Sequence, residues 1–324
     1  MSKYITDLLE SFKYKMISNI LVIKHGALGD LIQITSSLKS IRNKYPESKI
    51  VLLTDKKFTF FSKDISFVDE IIYETRPSLL RIDLWIRLIR EIITKKFDIV
   101  FDLQNSDRTS IYYFFLKLFN STIIWSGNRR GGKFKYHPKN FNQISIKERI
   151  KNQLYLMNID VSDTPDISWM VKNSMDCLPD RRFVIMLPGS SPQHKHKRWP
   201  AEKFAELANY LKEKNIETIV LGQANCEGDE IIKIKSLSPS IIDFTDMDLE
   251  CLATAATKAI GVIGNDTGLT FIAAAVGCPI TWLLSSHTDP NVIQLAGSKV
   301  NILKKESIKD ITVNEVKNNL ALRD

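Results

Sequence analysis

The sequence lacks any apolar segment that approaches the ~20 residues needed to span a bilayer as a helix. It also lacks the continuous apolar core that follows the charged start of a secretory signal peptide. Its four cysteines are scattered, and none lies within three residues of another, which excludes the close pairs of zinc and redox motifs. These absences predict a protein of the reducing cytoplasm whose thiols act as small buried side chains.

No tract of low complexity interrupts the chain, and its 44% hydrophobic and 25% charged residues are typical of a globular protein. A length of 324 residues is enough for two domains, each with its own core. Lysine and arginine exceed aspartate and glutamate by 45 to 37, a net charge of +8. This excess favours an anionic partner, namely a phosphate-bearing ligand, nucleic acid or a membrane surface. The alternative is that the charge only keeps the protein soluble.

Apolar runs of strand length alternate with stretches of helical periodicity, which is typical of a parallel, doubly wound sheet. The predicted strands lie at residues 20–24, 49–53, 68–73, 97–103, 121–125, 182–187, 217–221, 241–244, 259–264 and 280–284. The predicted helices lie at 30–44, 79–94, 109–119, 144–157, 200–214, 228–236, 248–257, 267–276 and 311–322. A proline-containing linker at 160–181 predicts two domains, 1–170 and 171–324, with a ligand-binding cleft between them.

A glycine-containing loop, His25-Gly26-Ala27-Leu28-Gly29-Asp30, follows the first predicted strand and precedes a helix. The order strand, glycine loop, helix opens a nucleotide-binding α/β domain, although the loop is not a full G-x-G-x-x-G motif. Asp30 is therefore expected at the mouth of the sheet, where such domains bind ligands. A second interpretation stays open, because Asp30 and Gln33 also form a capping-box pattern.

A cationic loop follows the first strand of the second half. It contains Gly189, Ser190, Lys197 and Arg198 and ends at Pro200, the expected first residue of a helix. Cations beside a helix start suit a diphosphate, because the helix dipole adds to their positive charge. The alternative is an exposed loop without a ligand.

Two further loops end predicted strands in the second half. Asp266, Thr267 and Gly268 lead into an alanine-rich helix whose free backbone N–H groups suit an anion, although Asp266 also fits an N-cap. Gly222 precedes Glu227, an acidic residue placed where it can bind a ribose hydroxyl. Both loops therefore suit parts of a nucleotide.

Two other basic stretches allow more than one interpretation. Residues 127–139 contain five lysines or arginines, among them Arg129, Arg130 and Lys133, and predict an exposed loop that either closes over an anionic acceptor or is only solvated. Residues 4–16 have an apolar stripe at helical spacing with lysines beside it. Such a helix either packs on the protein itself or lies on a membrane surface.

Two patterns that resemble metal sites are rejected. Asp246-Met247-Asp248 has no cluster of other ligands around it, and Asp248 fits the N-cap of a helix. His194 and His196 lie two residues apart in a cationic loop, which is a poor metal cradle.

Four blocks occur in an order that closely resembles glycosyltransferase family 9, the ADP-heptose:lipopolysaccharide heptosyltransferases and their relatives. They are Ile-Leu-Val-Ile-Lys-His-Gly-Ala-Leu-Gly-Asp-Leu at 20–31, Phe-Asp-Ile-Val-Phe-Asp-Leu-Gln at 97–104, Lys-Arg-Trp-Pro at 197–200 and Gly-Asn-Asp-Thr-Gly at 264–268. The resemblance spans roughly residues 19–290. His25-Gly26-Ala27 departs from the family's usual Ser- or Thr-rich segment, and Arg198 stands where some members have histidine.

The resemblance implies an α/β protein of GT-B architecture, with two Rossmann-like, doubly wound parallel-sheet domains facing a central cleft. The first domain is expected to bind the acceptor and the second the nucleotide sugar. The expected site residues are Asp30 as catalytic base; Ser190, Lys197, Arg198, Asp266, Thr267 and Gly268 for the donor diphosphate and sugar; Gly222 and Glu227 for the nucleoside; and Gly29, Gln104, Arg129, Arg130 and Lys133 for the acceptor.

The implied activity is an inverting, metal-independent transfer of heptose or a similar sugar. The donor is a nucleoside-diphosphate sugar such as ADP-heptose, used as substrate with no further cofactor, and the acceptor is a lipopolysaccharide-core or related glycan. The expected location is the cytoplasm, with peripheral contact at the inner membrane face. Three alternatives are an inactive glycan- or polyanion-binding family member, an epimerase of the same architecture and a nucleic-acid binder, the last disfavoured because interleaved aromatic platforms are absent.

Overall fold

A computed structural model describes residues 17–62, 64–78, 80–140, 143–297 and 299–323. The amphipathic helix predicted at residues 4–16 lies outside these ranges. The chain divides into two compact units, Met1–Asp163 and Thr164–Asp324, which are described separately. The domain boundary predicted after residue 170, and the role of each domain, stay predictions. Among the described residues, no helix combines the length and apolarity required to cross a bilayer.

The first unit contains a six-stranded sheet, all of whose strand pairs are parallel, in the order β3-β2-β1-β4-β5-β6. The strands are β1 (Asn19–Ile23), β2 (Lys49–Asp55), β3 (Glu70–Glu74), β4 (Ile99–Asp102), β5 (Ile124–Gly127) and β6 (Phe134–Lys135). β1 is almost continuously apolar because it is buried on both faces of the sheet. The strand order reverses between β1 and β4, the position at which open α/β sheets bind ligands.

Six helices lie in the described residues of the first unit. They are α1 (Leu28–Gln33), α2 (Thr35–Lys44), α3 (Thr59–Ser62), α4 (Ile82–Thr94), α5 (Asp107–Phe119) and α6 (Ile146–Tyr155), with a 3-10 turn at Lys56–Phe58. Side chains of α4 and α5, including Trp85, Leu88 and Leu116, pack on the face of the sheet that presents Leu21 and Val100.

Two expectations for the first unit are corrected. The single helix predicted at 30–44 is two helices with a break at Ile34. The loop predicted at 127–139 contains β6, which pairs with β5 and buries Phe134, so this basic stretch is partly anchored in the sheet.

The second unit repeats this topology. Its six parallel strands have the order β12-β11-β10-β7-β8-β9, which matches the first sheet when each strand is counted from its own unit's start. The strands are β7 (Phe183–Leu187), β8 (Glu217–Val220), β9 (Ile242–Asp243), β10 (Gly261–Gly264), β11 (Ile280–Leu284) and β12 (Val300–Lys304). The order reverses between β7 and β10, so the corresponding binding position lies beyond their carboxyl ends.

The part of the second unit that the structure describes contains five helices. They are α7 (Ala201–Glu213), α8 (Ala224–Leu237), α9 (Leu249–Lys258), α10 (Gly268–Ala275) and α11 (Val313–Asn318), with 3-10 turns at Ser168–Met170, Pro192–Lys197 and Ile308–Asp310. Asp248 caps α9, as predicted, by accepting the N–H of Cys251 at 2.7 Å. Pro200 is the N-cap of α7 and not its first residue. The helix predicted at 311–322 is confined to α11, and β12 was not predicted.

Candidate active site

Asp30 is the third residue of α1, and the N-cap of this helix is Ala27. The capping interpretation of Asp30 is therefore wrong: the chain enters the helix three residues earlier than the pattern indicated. Gly26 makes this entry possible, because its φ of 81° is strained for any residue with a Cβ. Gly29 is the buried second residue of the helix. The Asp30 side chain is half-buried beyond the end of β1 and is not used as a cap.

Two basic residues, Lys24 and Arg149, interact electrostatically with Asp30. Lys24, almost fully buried, lies 3.6 Å from the Asp30 carboxylate. Burial lowers the pKa of Arg149, while the nearby Tyr136 and Asp30 oppose that shift. Arg149 comes from α6, far from Asp30 in sequence, so the sequence carried no signal for this contact.

A buried polar network lies beside the same loop. His25 Nε2 is 2.6 Å from the Glu74 carboxylate, and both side chains are 1% exposed. Arg108 donates to Glu74 and to the carbonyl of Pro77, and its guanidinium lies over the ring of Trp85. Burial raises the pKa of Glu74, but hydrogen bonds and the positive charge of His25 outweigh it and hold the pKa below its ordinary value. This network fixes the backbone that leads to Asp30.

The loop after β4 is held by Asp102, which is fully buried. Its carboxylate accepts the hydroxyl of Thr109 at 2.7 Å and the N–H of Asn105 at 2.7 Å. Burial raises the pKa of Asp102, and these hydrogen bonds oppose the shift. Gln104 in the same loop accepts the N–H of His25 at 3.1 Å, so the predicted acceptor residue also ties β4 to the loop of Asp30.

The three predicted basic acceptor residues differ in their surroundings. Arg129 donates to the carbonyl of Ser106 and to the Thr109 hydroxyl, which attaches it to the start of α5. Arg130 and Lys133 are exposed. Arg129 therefore contributes to the shape of this loop, and the exposed pair presents charge to solvent.

In the second unit, the loops after β7 and β10 meet through an ion pair. Lys197 Nζ lies 2.6 Å from Asp266 Oδ2, and the buried Thr288 donates to the same oxygen at 2.7 Å. Asp266 is not a helix cap, since the N-cap of α10 is Thr267. Gly268 is the first residue of α10, so the free N–H groups in the first turn of this helix follow Asp266 closely in the chain. The structure thus brings together Lys197, Asp266, Thr267 and Gly268, as the sequence predicted for a donor site.

Arg198 and Ser190 stabilise the loop after β7 from within. Arg198 is buried; its Nε donates to Ser190 Oγ at 3.1 Å, Nη2 to Ser190 O at 2.8 Å and Nη1 to Glu230 at 2.6 Å. Ser190 Oγ in turn donates to the carbonyl of His194 at 2.9 Å. Arg198 and Ser190 therefore hold this loop in shape, and their contact with a donor diphosphate stays a prediction.

Glu227 lies in the first turn of α8 and is buried against the same loop. Its carboxylate accepts the N–H of Gln223 at 2.8 Å, and burial raises the pKa of this carboxyl group. A Cβ at Gly189 would lie 2.5 Å from Glu227 Oε1, and one at Gly222 would lie 3.3 Å from Oε2. Both glycines therefore make room for Glu227, which explains their positions at strand ends.

Asn265 is a connecting residue that the sequence reasoning did not single out. It is fully buried, accepts the N–H of Trp199 at 3.2 Å and donates to the carbonyl of Pro188 at 2.6 Å. The sequence places Asn265 between the end of a predicted strand and Asp266, and this position could have indicated a residue that connects two loops. Asn265 holds the loops of Lys197 and Asp266 at a fixed separation.

Three histidines lie at the outer side of this ion pair. The ring of His196 is 4.5 Å from that of His287 and 5.6 Å from that of His194, measured between centroids. Burial, together with the positive charge of His287, His194 and Lys197, lowers the pKa of His196. In the parts of the chain that are described, no group of three or more His, Cys, Asp or Glu is arranged to hold a metal ion.

Two parallel α/β units, each with polar residues gathered where its strand order reverses, define a protein of the nucleotide-binding α/β class. The family model of glycosyltransferase family 9 (heptosyltransferase) matches residues 85–320, and the chain belongs to this family. It is therefore a glycosyltransferase, and its fold is that of the GT-B heptosyltransferases. The matched residues include the whole second-unit site, while Asp30 precedes them.

Individual relatives are similar over most of their length. Lipopolysaccharide heptosyltransferase 1 of Campylobacter coli is 23% identical, over 92% of this chain and 95% of the relative. A glycosyl transferase family 9 structure from Veillonella parvula has a TM-score of 0.75 at 20% identity, covering 94% of this chain and 97% of that one. The structure of Escherichia coli heptosyltransferase WaaC with ADP has a TM-score of 0.71 at 18% identity, covering 93% and 98%.

Proposed function

We propose that this glycosyltransferase moves a heptose or similar sugar from ADP-heptose to a lipopolysaccharide-core or related glycan, with inversion and without a metal ion. The observation that carries the donor half is the Lys197–Asp266 ion pair beside the start of α10, at the carboxyl ends of β7 and β10. Relatives named as lipopolysaccharide heptosyltransferases support the sugar and acceptor classes, and a related structure was solved with ADP.

On the donor side, Lys197 and the N–H groups at Gly268 would neutralise the diphosphate. Asp266 would orient Lys197. Because a diphosphate would repel its carboxylate, we place this carboxylate beside the sugar, where it would accept hydrogen bonds from sugar hydroxyls. Glu227, seated on Gly189 and Gly222, would bind the nucleoside. These positive groups are already in place before the reaction, so they would stabilise the negative charge that develops on the leaving diphosphate. In the proposal they do the work that a metal ion does in other transferases.

On the acceptor side, Asp30 would take the proton from the attacking hydroxyl, which then displaces the diphosphate at the opposite face of the anomeric carbon. Lys24 lies 3.6 Å from the Asp30 carboxylate, so a cationic side chain stands beside the proposed base. Gln104 and Gly29 would shape the loop beside the acceptor. Arg130 and Lys133 would attract its anionic groups, and Arg129 would hold their loop in place.

The direct test offers purified protein ADP-, GDP- and UDP-sugars with a lipopolysaccharide-core acceptor. The proposal predicts that ADP is released only when ADP-heptose and acceptor are both present, and that the acceptor gains one heptose with inverted configuration by NMR. Free sugar or an isomer formed without acceptor would instead indicate an epimerase. Binding of ADP-heptose without turnover would indicate an inactive binding protein.

We further propose that the exposed surface of α4 and α5 contacts anionic phospholipid, because a lipid-linked acceptor lies at a membrane. Large apolar side chains are 61–66% exposed there, and Arg87 and Arg90 lie among them, a combination that suits apolar insertion beside anionic headgroups. The apolar residues are Ile82, Ile86, Phe114, Leu118 and Phe119. A groove of about 410 Å³ between the two helices continues this apolar surface.

Replacing Leu118 and Phe119 by serine should abolish flotation with phosphatidylglycerol vesicles while leaving the fold intact, because both side chains are already exposed. Ile232→Ser is the matched control, since Ile232 is 68% exposed on α8 of the other unit. Equal flotation of all proteins, or a concentration-dependent dimer that the Leu118 and Phe119 changes dissociate, would contradict the membrane assignment.

A further inference from the structure

The loop after β7 and the loop after β11 gather imidazole groups next to Lys197. His194 and His196 precede Lys197 in one loop, and His287 precedes Thr288, the residue that donates to Asp266, in the other. All three histidines are exposed, and they lie in two separate loops. Their proximity is therefore a product of the fold and not only of sequence spacing.

These loops are held in shape without any ligand. Arg198 binds Ser190 and Glu230, Ser190 binds the carbonyl of His194, and Ser285 Oγ lies 3.4 Å from His287 Nδ1. The backbone that carries His194 is thus tied to the loop after β7, and the ring of His287 has a polar neighbour in its own loop.

The charged groups around His196 are mostly positive. Lys195 and Lys197 come from its own loop, and His287 comes from the loop after β11. The nearby carboxylates are already used: Asp266 accepts from Lys197 and Thr288, and Asp289 accepts the N–H of Asn291. Cationic side chains that lie together without a carboxylate partner repel one another, and an anion bound among them reduces this repulsion.

We infer that His194, His196 and His287 form an outer anion-binding surface of the nucleotide-sugar site, and that this cluster takes up a proton when a diphosphate binds. The inference rests on the proposed donor site, whose Lys197 lies next to His196 in the chain. Burial, followed by the neighbouring positive charges, lowers the pKa of His196 and so favours its neutral form. A diphosphate reverses this preference, because its negative charge stabilises imidazolium, so proton uptake and binding are linked.

The test is calorimetry with ADP-glucose, whose diphosphate is esterified at both ends and does not itself titrate near neutral pH. Binding enthalpies in two buffers of different ionisation enthalpy give the number of protons taken up. We expect uptake of about 0.5–1 proton at pH 7, and a Kd about three- to tenfold lower at pH 6.5 than at pH 7.5.

In the triple variant His194→Gln/His196→Gln/His287→Gln, proton uptake should fall close to zero and the Kd should lose its pH dependence. Lys195→Gln is the matched control: it removes a charge from the same loop but no group that titrates near pH 7, so uptake should persist. Binding that Lys197→Ala weakens but that takes up no proton would overturn this inference alone. Absence of binding, or binding that Lys197→Ala leaves unchanged, would contradict the proposed donor site and the inference with it.

Discussion

At the scale of single residues, the shape of the loop after β7 depends on how closely Glu227 approaches the backbone of Gly189. The carboxylate occupies the space that any side chain at Gly189 would need. Because Glu227 is buried and accepts the N–H of Gln223, it cannot move away without losing that hydrogen bond. The glycine is therefore required by a neighbouring side chain and not by an unusual φ.

Gly189→Ala should lower the free energy of unfolding by about 1–3 kcal/mol, since it overpacks a buried site. Gly228→Ala is the control, because a Cβ there meets no atom within 4 Å and alanine favours a helix. Urea denaturation measures both. Adding Glu227→Ala to Gly189→Ala should recover part of the loss, and a Gly189→Ala protein as stable as wild type would contradict this account of the loop.

The sequence predicted those features that depend on residues close together in the chain. The order of strands and helices followed from apolar periodicity, and Lys197, Asp266, Thr267 and Gly268 were expected together because each follows a strand or begins a helix. Contacts between distant segments could not be predicted in the same way. Arg149 beside Asp30, Asn265 between two loops and the meeting of His196 with His287 depend on three-dimensional packing that no local pattern encodes.

Arg198 illustrates a different limit. From its spacing it was expected to contact the diphosphate, yet its burial and its hydrogen bonds to Ser190 and Glu230 give it a role within the loop. The sequence predicts which charges lie near one another, but not that a buried arginine among them also holds its own loop in place.

At the scale of elements, two aspartates that resemble a metal-binding pair both stabilise helix starts. Asp246 accepts the N–H of Ala224 at 2.8 Å, and Asp248 accepts that of Cys251 at 2.7 Å. Asp246 has a φ of 61°, a backbone conformation that aspartate tolerates better than most residues. Each carboxylate therefore has a defined structural partner in a different helix.

Asp248→Ala should cost about 0.5–2 kcal/mol of stability through loss of the α9 cap, while Asp248→Asn should retain most of it. Asp229→Ala, on the exposed side of α8, is a control expected to change stability by less than about 0.5 kcal/mol. Transfer activity of the folded variants should be unchanged and insensitive to EDTA. Loss of activity at unchanged stability, together with inhibition by EDTA, would mean that this pair binds a metal ion.

At the scale of the whole molecule, the chain uses one topology twice, with different charged residues at the equivalent positions. In both units the strand order reverses beside the first strand, and in both the loops at that point contain the charged residues. The first unit places a carboxylate, Asp30, near Lys24 and Arg149. The second places Lys197 and a helix start where an anion is expected. The proposed base and the proposed cationic donor site, built on the same architecture, suit a transfer reaction that needs both.

The most direct measurement of this account is the turnover rate of Asp30→Asn, taken together with the Kd for ADP-heptose. General-base catalysis contributes about 10²–10⁴-fold, so the rate should fall by that factor while the Kd stays at the wild-type value, because donor binding is assigned to the other unit. Asp64→Asn, an exposed change in the same unit, should leave both unchanged. A wild-type rate in Asp30→Asn, or a rate loss that a weaker Kd fully explains, would contradict the assignment of Asp30 as the base.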